Sequence, residues 1–402
     1  MKPKMMLALA LLLIASERQL SAVPIDPQKL VTANNAFAFR LLRQIAKEQP
    51  AANIFISPYG AATVLQMATA GAAGKTSAEM QQVLGTTNLS PAEMGGANQA
   101  VAQSLNTEDT NVILTTANAI WYRRGAPVKP DFMAFNRQYF GSTVDSLDFE
   151  DPHSVDIINQ WASNQTHGKI NQLANGPLDP DTELFLANAV YFKGRWSDPF
   201  DVQATSDRPF HRRVGGDTKI PMMTKTKTFT YRHGAGYQAV RLPYLGENLG
   251  MYVFLPDTNS SPEKLLRIMT GDTWQRITKP GFSEKEGTLM LPRFKLEYGV
   301  ELKEPLQALG MKSAFDAAAA DFSGIAPQLY ISAARQKTFV EVKEDGTEAA
   351  AVTGMSWGTA GIEMPPPDPF QMIVDRPFLF LIADDQTGTI LFTGVIFDPA
   401  AN

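Results

Sequence analysis

The sequence of 402 residues contains no cysteine. Disulfides, thiolate metal sites, a cysteine nucleophile and a lipid anchor attached through cysteine are thereby excluded. Histidine is nearly as scarce. Only His153, His167, His211 and His233 occur, none of them in an HExxH pattern, and no GxSxG elbow presents a serine. These histidines read as surface or hydrogen-bonded side chains, and no catalytic residue is assigned. Acidic clusters with calcium-loop spacing are missing too, so neither a metal nor a cofactor is implied. With a net charge of -5 and no cluster of Lys and Arg, the chain lacks the cationic face that nucleic acid requires.

Two short patterns offer chemistry and then withhold it. Gly74-Lys75-Thr76 suggests a phosphate loop, yet the glycine needed earlier in that motif is Thr69, and the preceding segment looks helical where a strand is required. Gly74 and Lys75 are therefore expected to make a helix-to-helix turn. Ser261-Pro262-Glu263-Lys264 matches SxxK, but its partner motifs are missing.

What the chain does have is the makeup of a globular protein with a large core, 44% hydrophobic and 19% charged. Its N-terminus, MKPKMMLALALLLIASERQLSA, places Lys2 and Lys4 before an apolar run from Met5 to Ala15. That is the order of a secretory signal peptide spanning residues 1–22, and the run is too short to cross a bilayer. A secreted or periplasmic location is the expectation, with no membrane association.

Asp26-Pro27 opens an amphipathic helix on Ala38, Leu41, Leu42 and Ile45, and Ala- and Met-rich segments over 58–84 and 91–105 extend the helical part. NVILTTANAIWY, starting at Asn111, and TELFLANAVYFKG, from Thr182 to Gly194, read as buried strands, with helices near 131–139 and 153–166 between them. Beyond Phe200 the chain is mostly strand-like, interrupted by short helices at 262–269 and 302–309. Helices first and many non-consecutive strands later indicate an α+β fold with large mixed or antiparallel sheets. No internal repeat or linker divides the chain.

One long loop stands out. VKEDGTEAAAVTGMSWGTAGIEMPPP, from Val342 to Pro367, lies between two strand-like runs and carries hardly a bulky aliphatic side chain. Propensity alone makes its Ala-rich part a helix. Taken instead as a strand, it puts Thr347, Ala349, Ala351 and Thr353 on one face and Glu348, Ala350 and Val352 on the other. The first face holds nothing large or charged, so it could slide between existing strands, with Gly346 as the hinge.

These residues resemble the hinge of inhibitory serpins. Glu344, Asp345, Gly346, Thr347, Glu348, Ala349, Ala350, Ala351, Val352 and Thr353 match its pattern. Three further segments resemble the family in the expected order: Asn53 to Met80, the run from Thr182 that holds Asn188 and Trp196, and Asp375 to Pro399. The resemblance implies a serpin domain over 27–399 with a reactive loop at 344–367, in a chain that inhibits proteases and is not an enzyme. A target serine protease would attack the loop, form a covalent acyl-enzyme, and be distorted as the cleaved loop inserts into the main sheet. Counting from Glu344, the family's usual spacing puts the reactive bond between Ala360 and Gly361, with Thr359, Ile362, Glu363 and Met364 as alternatives. A small residue there suits elastase-like or subtilisin-like proteases, and no Arg or Lys lies between Glu344 and Pro369 to suit trypsin-like ones.

Ser57, Asn188, Trp196 and Gln336 are expected in the region where the sheet opens. Gln336 stands where the family often has histidine, and Gly60 where serine is frequent. The segment resembling the family's heparin-binding helix, 91–105, carries no Lys or Arg, so no heparin site is expected. A monomer is the expected state. The alternative within the family is a non-inhibitory binding or chaperone protein; such members carry bulky, charged or proline residues in the hinge, where this chain has Thr and Ala.

Overall fold

The computed structural model describes residues 26–105, 111–246, 248–278, 281–347 and 368–401. Hydroxyl caps and prolines start several of its helices. Ser57 Oγ accepts from the Gly60 N–H at 3.1 Å and Pro58 occupies the first turn of α2. Ser90 and Glu93 form a capping box at the start of α4. Gly85 and Gly141, both left-handed, stop α3 and α5. The helices are α1 (Gln28–Glu48), α2 (Pro58–Thr69), α3 (Gly74–Leu84), α4 (Pro91–Leu105), α5 (Pro130–Phe140), α6 (Ser154–Gln165), α7 (Pro262–Ile268), α8 (Gly271–Thr278) and α9 (Lys303–Ala308).

The strands are β1 (Ile54–Ile56), β2 (Val112–Arg123), β3 (Thr143–Leu147), β4 (Leu184–Arg195), β5 (Ser206–His211), β6 (Asp217–Gly234), β7 (Tyr237–Pro243) and β8 (Leu249–Pro256). They continue with β9 (Ser283–Pro292), β10 (Phe294–Glu301), β11 (Ile331–Lys343), β12 (Gly346–Thr347), β13 (Phe370–Ile373), β14 (Phe378–Asp384) and β15 (Ile390–Ile396). A nine-stranded sheet runs β1-β15-β14-β8-β7-β6-β9-β13, with β5 on β6, and a six-stranded sheet runs β10-β11-β12-β4-β2-β3. The expected α+β class, helical first and strand-rich later, is what the chain forms.

Every residue of α2 is buried, which suits a helix of Ala, Val, Leu and Met and only uncharged polar side chains. It packs against β2, β4 and β15, in the main core between the two sheets. A second, smaller core lies under α6, where Ile158 and Ala162 join a cluster with Trp121, Phe185, Tyr191 and Phe339 of β2, β4 and β11.

Two local expectations change. The turn between α2 and α3 is Ala70 to Ala73, and Gly74 and Lys75 open α3 instead of making the turn. Gly74 holds φ +52°, and Thr76 Oγ1 accepts from the Asp321 N–H. The short helix α8 follows α7 with only Trp274 and Ile277 as its large buried apolar residues. That is too few for a periodic signal. Ser261 is the N-cap of α7, accepting from the Lys264 N–H at 3.3 Å, while Lys264 Nζ donates to the Asn259 carbonyl. The SxxK match is a helix start.

Candidate functional site at the head of the six-stranded sheet

Strands β4 and β11 are the centre of the six-stranded sheet and run parallel. Their register extends from Ile331 opposite Leu184 to Phe339 opposite Tyr191. Above that point they separate. The chain leaves β11, turns at Glu344 and Asp345, and returns as β12 between the two. Gly346 and Thr347 pair antiparallel with Lys343 and Val342 on one side, and with Arg195 and Gly194 on the other. Gly346 and Thr347 of the expected hinge are therefore already a strand in the gap, and Glu344 and Asp345 form the turn before it.

Gly346 is needed for this. Its φ is +146°, and a Cβ there would lie 2.1 Å from the Gly194 carbonyl oxygen. Thr347 is fully buried, and its Oγ1 is 2.8 Å from the Tyr244 hydroxyl. Burial pushes the Tyr244 phenol far above its ordinary range, so the hydroxyl keeps its proton for that bond.

Trp196 fastens the turn. Its indole N–H donates to the Lys343 carbonyl at 3.0 Å and its backbone N–H to the Asp345 carbonyl at 3.0 Å, while the Phe200 N–H donates to the Glu344 carbonyl at 2.9 Å. The indole stacks on Tyr244, with centroids 4.7 Å apart and planes at 13°. Arg293 donates through Nε to both Glu344 carboxylate oxygens, at 2.7 and 2.8 Å, and the Thr205 hydroxyl donates to the same carboxylate. Burial alone would raise the Glu344 pKa, but the hydrogen bonds from Arg293 and Thr205 outweigh it and hold the carboxyl below the usual glutamate range.

A pH dependence follows. The folded pKa lies below the unfolded one, so this contribution is complete above the unfolded glutamate value and fades as pH falls through the folded value. Glu344→Gln is expected to cost about 1–2 kcal/mol near neutrality, since Arg293 is half exposed and partly screened. Urea midpoints of the two proteins are expected to converge as pH is lowered below about 4. A gap that stays constant with pH would contradict this account of the pair.

Lower in the same seam lies a buried polar cluster. Gln336 of β11 accepts from the Ser57 N–H at 2.9 Å, and its Nε2 donates to the Ser57 carbonyl at 2.8 Å and to Asn188 Oδ1 of β4 at 2.6 Å. Asn188 Nδ2 donates onward to Asn118 Oδ1 at 2.8 Å, and Ser57 Oγ to the Leu391 carbonyl at 2.8 Å. Gly60 belongs to this cluster by what it omits: a Cβ there would lie 2.4 Å from Asn188 Oδ1. The Asn188 carboxamide occupies the space that a serine side chain at 60 would need.

Of the expected sheet-opening residues, the structure brings Ser57, Asn188 and Gln336 together and sets Trp196 apart, at the head of the sheet beside the turn. Glu344, Asp345, Gly346 and Thr347 are placed as described. Glu348, Ala349, Ala350, Ala351, Val352 and Thr353 lie outside the described residues, as do Ala360, Gly361, Thr359, Ile362, Glu363 and Met364. Tyr244, Arg293, Thr205 and Asn118 are partners that sequence reasoning missed. The four histidines are exposed; His153 lies 3.5 Å from Asp156 and His211 lies 2.9 Å from Asp217. No group of three or more metal-ligating side chains occurs among the described residues.

Comparison with known proteins gives the class. Residues 32–399 match the family model described as serpin, serine protease inhibitor. Iripin-2 of Ixodes ricinus is 36% identical over 378 residues, covering 92% of this chain and 94% of the relative. The leukocyte elastase inhibitor of Homo sapiens is 34% identical over 390 residues, covering 92% and 100%. The crystal structure of Tengpin, a thermophilic serpin in its native state, superposes with a TM-score of 0.85 at 28% identity, over 92% of this chain and 94% of that one. The chain belongs to the serpin family.

Proposed function

We propose that this serpin is an exported suicide inhibitor of serine proteases with elastase-like or subtilisin-like specificity. The observation that carries the reading is the docking of Gly346 and Thr347 between β4 and β11, small side chain inward. The loop that follows has a slot to enter and the direction in which to enter it.

The target serine Oγ attacks the Ala360 carbonyl carbon, the bond to Gly361 breaks with the proton passing to the departing amine, and Ala360 is held as an ester on the enzyme. The freed hinge then continues into the gap. Each residue that inserts replaces parallel β4–β11 pairing with antiparallel pairing on both of its sides, and antiparallel pairs are the more stable kind. About ten additional ladder bonds, each worth about 0.5–1.5 kcal/mol net, would supply a driving force comparable to the stability of a whole domain. That is enough to carry the attached protease along and pull its active site out of register before water releases it. Thr347, Ala349, Ala351 and Thr353 would form the inserting face, and residues 344–367 the reactive loop of a domain over 27–399. Export rests on the leader-like order of residues 1–22, the target class on the small residues around Ala360 and on a loop without Arg or Lys. Catalysis belongs to the protease, and no cofactor, heparin site or partner subunit is required.

Incubation with elastase, subtilisin, chymotrypsin and trypsin, read by denaturing electrophoresis, tests this. A complex that survives denaturation is expected with elastase or subtilisin and not with trypsin, and the mass of the released C-terminal peptide is expected to begin at Gly361. If every protease cleaves the loop and stays active, the chain is a non-inhibitory binding serpin.

A further inference from the structure

We propose that the cleft between α1 and α7 binds a small organic anion with a compact apolar body. The cleft has a volume of about 510 Å³, within the range of ligand pockets. Ala46, Leu266 and Leu309 give it apolar walls, and Arg40, Arg43, Lys47 and Arg267 surround it with positive charge. Glu263 is the single carboxylate among its lining residues and is already paired with Arg213. Four cations thus face one carboxylate, already paired, in a chain of net charge -5.

Two of the cations are held rigidly. Arg40 Nη2 donates to the Val83 carbonyl at 2.7 Å, and Arg43 Nη1 donates to the Leu266 and Met269 carbonyls at 3.1 and 3.0 Å. These carbonyls end α3 and α7, where a cation is favoured by the helix dipole. Capping accounts for the position of both guanidiniums but uses only part of their donor capacity, because each has five N–H groups. Neither forms an ion pair with a carboxylate among the described residues, and the charge of Arg43 adds to burial in lowering the pKa of Arg40. Capping also leaves unexplained why Lys47 and Arg267, both exposed, add to the same rim. An anion entering head first would relieve the mutual repulsion, and its apolar body would cover the half-buried Ala46 and Leu309. This site is remote in sequence from the reactive loop and independent of the inhibitory reading.

The probe is 8-anilinonaphthalene-1-sulfonate, followed by fluorescence titration of the full chain, with the uncharged N-phenyl-1-naphthylamine as its counterpart of the same body. One saturable site with micromolar affinity is expected, with the uncharged probe weaker by about tenfold. The double variant Lys47→Glu, Arg267→Glu changes only exposed side chains, and Ala46→Trp fills the cleft. Each is expected to weaken sulfonate binding by about tenfold or more. Equal binding of the two probes, or sulfonate affinity unchanged in the exposed-residue double variant, overturns the proposal. If Ala46→Trp fails to fold, the double variant decides.

Discussion

Under the proposed insertion mechanism, Thr347→Arg is expected to convert the protein from an inhibitor into a substrate. Protease cleaves the loop, deacylates and leaves active, and the denaturation-resistant complex falls by about 100-fold or more relative to cleaved inhibitor. The reason is the position of the side chain. Thr347 is fully buried between β4 and β11, its hydroxyl against that of Tyr244. A guanidinium in that slot has no carboxylate to meet, because Glu344 is committed to Arg293 and Thr205. Burying an unpaired charge costs several kcal/mol, so the arginine is expected to keep β12 out of its slot in the intact protein, and the same cost must then be met when the cleaved loop enters, ahead of any ladder bond gained deeper in the sheet. Insertion is then slower than hydrolysis of the acyl-enzyme. Thr347→Val, of similar volume and uncharged, is expected to keep most of the trapping. Unchanged partition between complex and cleaved product in the arginine variant would sink the insertion mechanism for this chain.

The same segment shows where the sequence was informative and where it was silent. Alternation along one strand set Thr347 on the face that carries neither bulk nor charge, and that composition marked the face as one that could be covered; Thr347 is buried. TELFLANAVYFKG was legible as an apolar run and is buried on both faces from Leu184 to Phe192, while NVILTTANAIWY was legible from its β-branched and aromatic residues and is buried on both faces only from Ala117 to Trp121. Family resemblance added Ser57, Asn188 and Gln336, which no spacing could have joined: Ser57 and Gln336 are 279 positions apart, and Asn188 and Gln336 are 148 apart.

The resemblance did not distinguish Trp196 from those three, since its role depends on the turn it holds. Tyr244, Arg293 and Thr205 stayed invisible because each becomes a partner only once sheet order sets it beside residues 344–347. Glu344 is charged, and a charged side chain beside a loop reads as solvated until its partner across the fold is known. Gly60 is the subtler case. As a helical residue it looks like an unfavourable choice, and its reason lies in the Asn188 carboxamide packed against it.

Gln336→Leu is expected to give the largest loss of stability, about 3–5 kcal/mol, measured as a lowered denaturation midpoint. The leucine fills nearly the same volume, so the cost is polar. Removing the amide strands the Ser57 N–H, the Ser57 carbonyl and Asn188 Oδ1 in a region where Ser57 is 1% and Asn188 0% exposed. Gln336 also joins β11 directly to Asn188 of β4, the two strands that must part if the loop is to enter. A weaker bond across that seam lowers the cost of opening it. The variant is therefore expected to lose inhibitory activity faster than the parent on incubation at moderate temperature, as the intact loop enters the sheet without a protease. Gln336→His offers the control. A neutral imidazole supplies one donor and one acceptor, enough for two of the three bonds, so it should lose less stability than leucine. If leucine and histidine behave alike, the amide is a packing element and the seam is held elsewhere.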